Sequence, residues 1–267
     1  MQAYLDYFEL TERIGWRLGD LPWNEPQLDR VSDDDRKAIA ATSVIESGVP
    51  HYAKVWGVVD GFADDWELAQ FVTLWAGEEE RHNVTLNRLA RLVGEGDAVA
   101  GDYRRVAETD FVAAQKAGCP TRCYSTIPGM LTYAMIQELV TWRFYLSASK
   151  QTKSLLVREA FRRIGEDEMR HHVWYRDALK ARHARAPDKA WFAEQVSAAT
   201  RHFRMPHGIF HVRERFFDVE SNVVGKLGVL DIKLRVAKAL SFDRGLVAAL
   251  ASSSAPQPLV AQAIAAT

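Results

Sequence analysis

Cysteine is scarce: Cys119 and Cys123 are the only two in 267 residues. A pair this closely spaced cannot staple a chain of this size, which excludes a disulfide scaffold. No run of 18 apolar residues occurs, which excludes a helical membrane span. The opening MQAYLDYFEL has no basic stretch leading into an apolar one, so no secretory signal is expected, and a reducing cytoplasm is the expected compartment. Strand-like alternation is also rare, and the nine prolines fall mostly at the ends of helix-periodic segments.

What is present points to a packed domain. Hydrophobic residues make up 48% of the chain and aromatics 10%, which excludes general disorder and allows one large core or at most two small ones. The formal charge of -1 conceals an asymmetry. Residues 1–80 carry 17 acids against 6 bases, whereas residues 143–185 carry 11 bases against 5 acids. The basic block, with Arg158, Arg162 and Arg163, is a candidate dock for an acidic partner. No basic–aromatic motif or reader module indicates nucleic acid.

Long 3.6-residue periods predict helices over about 33–60, 65–94, 127–149, 153–184, 188–203 and 211–242, with a shorter one over about 101–115. The first 30 residues read as partly irregular around Leu21-Pro22-Trp23. The expected fold is all-α, a single domain over 1–250, with a loose tail over 251–267 around Ser252-Ser253-Ser254-Ala255-Pro256.

Four of these helices carry acids where the core should be. Their apolar stripes run Ile39, Thr42, Glu46, Val49; Leu68, Phe71, Trp75, Glu79, His82, Leu86; Leu131, Met135, Glu138, Trp142, Tyr145; and Val157, Phe161, Ile164, Glu168, His171, Tyr175. Each step is three or four residues, so each series is one helix face. Burying an unpaired carboxylate costs several kcal/mol or forces it to take a proton. Two divalent cations would balance four carboxylates, and neutral imidazoles would complete the donor set. In Glu-x-x-His both side chains project from one side of the helix. The order also repeats: Glu46 then Glu79-x-x-His82, Glu138 then Glu168-x-x-His171. That is the arrangement of carboxylate-bridged dimetal sites in four-helix bundles. Pro50 deprives the Glu46 carbonyl of its helical hydrogen bond, and the distorted turn is placed to aim that ligand.

The phrases around these residues resemble the soluble acyl-carrier-protein desaturases. Glu46-Ser-Gly-Val-Pro50-His-Tyr52, Trp75-Ala-Gly-Glu78-Glu79-Glu80-Arg81-His82, Gln137-Glu138-Leu-Val-Thr141 and Asp167-Glu168-Met-Arg170-His171 match that family's four ligand helices. Met205-Pro206-x-x-x-Phe210 and Lys226-Leu227-Gly228-Val229 echo its later helices. Glu80 stands where the family has Asn, and Gly77 where it has Ala; no ligand position is changed.

The resemblance implies a ferritin-like four-helix bundle with additional C-terminal helices. It implies a di-iron centre held by Glu46, Glu79, His82, Glu138, Glu168 and His171, with Glu79 and Glu168 bridging; manganese accepts the same donors. It implies roles for Thr141 beside the oxygen-binding position, for Asp167 as the carboxylate holding an imidazole, and for Trp75 on an electron path. Glu78 is the pseudo-repeat counterpart of Asp167. The family's upstream tryptophan corresponds to Trp16 or Trp23. The activity implied is oxygen-dependent desaturation of an acyl chain on an acyl carrier protein, with a ferredoxin-type donor, usually in a homodimer. Met135, Trp142, Tyr145 and Phe161 are candidates to line the acyl slot. The same ligands also serve hydroxylases and N-oxygenases of specialised metabolites, and a ferritin-like iron-binding protein is a further alternative. A ribonucleotide-reductase small subunit fits less well, since that family begins its set with Asp where this chain has Glu46.

Overall fold

A computed structural model describes residues 2–108, 123–203, 205 and 213–243. The described residues are predominantly helical and include no strand; the chain is an all-α, ferritin-like bundle. The elements are α1 (Gln2–Ile14), α2 (Asp33–Glu46), α3 (Val49–Trp56), α4 (Trp66–Leu92), α5 (Gly96–Glu108), α6 (Ile127–Gln151), α7 (Leu155–Arg185), α8 (Lys189–Arg201) and α9 (Arg213–Leu240).

Local chemistry sets their starts. Ser32 and Asp35 form a reciprocal capping box at the head of α2. Asp65, Thr126, Ser154 and Asp188 each accept a first-turn backbone N–H at the heads of α4, α6, α7 and α8. Asp65 also takes the guanidinium of Arg182, which ties the start of α4 to the end of α7.

Helices α2, α4, α6 and α7 supply the four acid-bearing stripes and pack face to face, with α6 and α7 in contact along much of their length. Gly165 allows that approach: a Cβ there would come within 3.1 Å of the Tyr145 Cβ. The buried apolar side chains form one cluster, which includes Phe71, Leu131, Tyr145, Phe161 and Tyr175. Phe71 and Trp174 stack with centroids 3.5 Å apart.

The structure corrects two expectations. The segment expected as one helix over 33–60 is two, α2 and α3, separated at Ser47-Gly48, because Pro50 has no N–H to continue the ladder. The Tyr52 hydroxyl donates to the Ile45 carbonyl at that break. The first 30 residues are partly irregular, as expected around Leu21-Pro22-Trp23; before that stretch α1 lays Tyr7 against Phe71, with centroids 5.0 Å apart. The last long helix is bent within α9 at Gly225, whose φ of 65° is the left-handed region that favours glycine. Of the helix expected over 101–115, the part to Glu108 is present in α5; its remainder and the 251–267 tail lie outside the described residues.

Candidate metal centre

Glu46 comes from the last turn of α2, Glu79 and His82 from the middle of α4, Glu138 from α6, and Glu168 and His171 from α7. All six are at most 4% exposed. Their donor atoms gather in two groups, each lying within 4.8 Å of one another. Glu46, Glu79, His82 and Glu168 form one, and Glu79, Glu138, Glu168 and His171 the other. Glu79 and Glu168 belong to both.

The imidazoles are aimed by a crossed arrangement. His82 on α4 places Nε2 2.9 Å from Asp167 on α7. His171 on α7 places Nε2 3.1 Å from Glu78 on α4. An imidazole that gives its Nε2 proton to a carboxylate presents a lone pair at Nδ1. Both Nδ1 atoms face the carboxylates, at 3.4 Å from Glu79 for His82 and 3.1 Å for His171. Neither is hydrogen-bonded among the described residues, and the same holds for one oxygen each of Glu79 and Glu168. Buried polar atoms left this way are costly unless something binds them.

Arginines do not relieve the cluster. Arg81 and Arg170 pair with Glu78 and Asp167, the acids behind the histidines. Among the described residues no lysine or arginine forms an ion pair with Glu46, Glu79, Glu138 or Glu168. The electrostatics follow from this crowding. Burial, then the charges of Glu79 and Glu168, push the Glu46 carboxyl well above its ordinary pKa; burial and then Glu168 do the same to Glu138. Burial opposes ionisation of Glu79 as well, but His82 and His171 outweigh it and hold Glu79 below the usual range. Burial disfavours charge on His82 and His171, yet the surrounding anionic groups raise both well above the ordinary histidine value. An all-oxygen-and-nitrogen donor set with inward Nδ1 lone pairs fits two divalent first-row ions.

The remaining expected residues fall around this centre. Trp75 donates Nε1–H to Glu138 at 3.1 Å. The Thr141 hydroxyl bonds back to the carbonyls of Gln137 and Glu138 and lies 3.4 Å from Glu168 Oε2. Asp167 accepts from Trp16 at 2.9 Å, and the indole of Trp16 stacks parallel to His82 at 6.3 Å. Trp23 is instead bonded to the Leu18 carbonyl and lies under Arg88. Three donors escaped the sequence reading: Trp16 on Asp167, Tyr7 on Glu78 at 2.8 Å, and Tyr145 on Glu46 at 2.5 Å. Met135, Tyr145 and Phe161 are buried core, and Trp142 lies under Arg235. The cavity that reaches Glu138 is walled by other residues, chiefly Tyr52, Trp56, Trp75, Tyr133 and Tyr175.

Part of the basic block is spent within the fold. Arg162 is held by Glu159 and Glu166, and Arg170, Arg176 and Arg182 pair with Asp167, Asp177 and Asp65. Lys150, Lys153, Arg158, Lys180 and Arg185 are exposed.

Fold and site together define an all-α bundle built around a buried, paired carboxylate–imidazole cluster able to hold metal. The chain belongs to the fatty acid desaturase family, whose model matches residues 23–236. It is 26% identical over 223 residues to the provisionally named acyl-(acyl-carrier-protein) desaturase DesA1 in two strains of Mycobacterium tuberculosis. That match covers 83% of this chain and 63% of the relative, so the chain spans less than two thirds of the curated relatives' length. Tyr7 and Trp16 lie before the matched region. Among the described residues no helix is long and apolar enough to cross a membrane.

Proposed function

We propose that the chain is an oxygen-dependent di-iron desaturase that forms a double bond in an acyl chain presented by an acyl carrier protein. The observation that carries this reading is the pair of overlapping acid–imidazole clusters, buried and unneutralised, in a chain of this family. Two iron ions held there would let dioxygen accept two electrons from a ferredoxin-type donor, two protons and two hydrogens from adjacent carbons, giving an alkene and two waters.

The protein's own groups prepare that chemistry. Glu46 and His82 would serve one ion and Glu138 and His171 the other, with Glu79 and Glu168 shared. Asp167 and Glu78 fix the tautomer of each imidazole. Trp75 orients Glu138 through its indole N–H. Thr141 holds a proton beside Glu168, and a change of rotamer from its helix carbonyls would deliver it. Trp16, Asp167 and His82 make a hydrogen-bonded line into the cluster, a second candidate electron route beside Trp75. The aromatic wall excludes water from the reacting carbons.

The exposed Lys150, Lys153 and Arg158, at the start of the basic block, are the residues we place against an acidic carrier protein. Reversing Lys153 and Arg158 to Glu should weaken carrier binding in a salt-dependent manner, read by titration at two ionic strengths. A cytoplasmic homodimer with residues 1–250 as one domain belongs to the same proposal.

The deciding experiment is mass spectrometry of acyl carrier proteins after aerobic incubation with the reduced, iron-loaded protein. A product lighter by two hydrogens supports the reading. A hydroxylated or N-oxygenated product moves the chain to the related oxygenases, and mineralised iron without organic turnover makes it an iron-storage protein. Elemental analysis of protein purified without added metal separates iron from manganese.

A further inference from the structure

Helix α9 has one apolar face more than its packing needs. Ile232, Val236, Ala239 and Leu240 turn into the core and are at most 8% exposed. Leu227, Leu230 and Leu234 turn the other way and are 81%, 52% and 62% exposed. A single exposed leucine needs no explanation. Three in succession do, because steps of three and four residues line them up on one side of the helix. At about 100° per residue they fall within an arc of roughly 60°.

The edges of that arc are basic. The same projection puts Lys226 and Lys233 along one edge and Lys238 along the other. Lys226 and Lys238 are exposed, Lys233 is half-buried, and none of the three forms an ion pair among the described residues. From Val223 to Leu240 the helix carries four bases and one acid. That acid, Asp231, is already taken by Arg235 at 3.0 Å and lies 3.8 Å from Arg143. Arg235 is in turn seated over Trp142.

This chemistry narrows the occupant. A second copy of α9 would set lysine edges against lysine edges, so charge opposes self-pairing. The occupant is therefore anionic as well as apolar. An acidic protein would satisfy the lysines but would need an apolar strip of its own at the matching width. An anionic bilayer offers acyl chains and phosphates side by side everywhere on its surface. A row of leucines edged by lysines is the make-up of a helix lying in the headgroup layer. The lysine stems run along the apolar surface and leave their ammonium groups at the phosphates.

We propose that α9 docks the protein on an anionic lipid surface, with Leu227, Leu230 and Leu234 in the acyl boundary and Lys226, Lys233 and Lys238 at the headgroups. The contact is peripheral and does not depend on the metal centre.

The test is flotation of the full-length protein with vesicles of phosphatidylcholine alone and of phosphatidylcholine mixed equally with phosphatidylglycerol, at low and high salt. Partition into the mixed vesicles is expected to exceed that into the neutral ones by about tenfold or more and to fall with salt. Leu230→Ser with Leu234→Ser, and separately Lys226→Glu with Lys238→Glu, are each expected to cut it by about tenfold. All four side chains are exposed, so both variants should keep the fold, which melting curves check. Equal partition into the two vesicle types, no partition into either, or partition unchanged in either variant overturns the proposal. A dimer that the serine variant dissociates gives the stripe to a second copy and overturns it too. So does loss of acyl-carrier-protein binding in these variants without any vesicle binding, which gives the stripe to an acidic protein.

Discussion

Glu79 and Glu168 each belong to both clusters, whereas Glu46 belongs to one. Removing a shared acid should therefore cost more than removing an unshared one. Anaerobic titration with ferrous ion is expected to find about one remaining site in Glu46→Ala and none of comparable affinity in Glu79→Ala; equal losses would contradict the sharing. At this scale the repeated Glu-x-x-His was legible because its geometry is local. Its supporting donors were not. Tyr7, Tyr145 and Trp16 reach their acids across 71, 99 and 151 residues of sequence, where no spacing rule applies. Each also sits where an aromatic residue has an ordinary packing reason to be, so composition gives no hint of the hydrogen bond.

Between elements, closeness of approach decides. Gly165 meets Tyr145 across the α6–α7 contact, and Tyr145 is itself anchored to Glu46. Gly165→Val should destabilise the fold by about 1–3 kcal/mol through overpacking, measured by chemical denaturation. Gly77 is the opposite case, helical and exposed, with nothing within 4 Å of a built Cβ. Gly77→Ala should stabilise by about 0.5–1 kcal/mol, the helix-propensity difference. The long helices were readable from their 3.6-residue stripes because burial enforces that period. The break at Ser47-Gly48 was only half readable: Pro50 signalled a distortion, but whether a distorted turn bends or separates two helices depends on what packs around it. Helix α1 was not read as a helix; of its side chains only Tyr7 and Thr11 are buried, so no run of core residues marks it.

Over the whole molecule, the centre makes stability depend on pH and metal together. In the metal-free protein Glu46 and Glu138 have raised pKa values, so their contribution is fully present below the ordinary carboxylate value of about 4.3 and is lost as pH rises. His82 and His171, also raised, lose theirs above about 6.5. Glu79, Glu168 and Asp167 are depressed and act in the other direction, losing their contribution as pH falls below the carboxylate range. Metal-free protein should therefore lose melting temperature between about pH 5 and 8, while the gain on adding ferrous ion under nitrogen grows over the same interval. Scanning calorimetry at stepped pH checks both slopes; a metal-induced gain that shrinks with pH would contradict the assignment. Light scattering should give about twice the 30.1 kDa chain mass if the homodimer proposal holds.

The crossing of the imidazole supports has one more outcome. Because α4 steadies the histidine of α7 and α7 steadies that of α4, the first ion to bind would draw both helices into register and pre-order the donors of the second. Occupancy should then rise sigmoidally with free metal, and singly loaded protein should be scarce at every concentration.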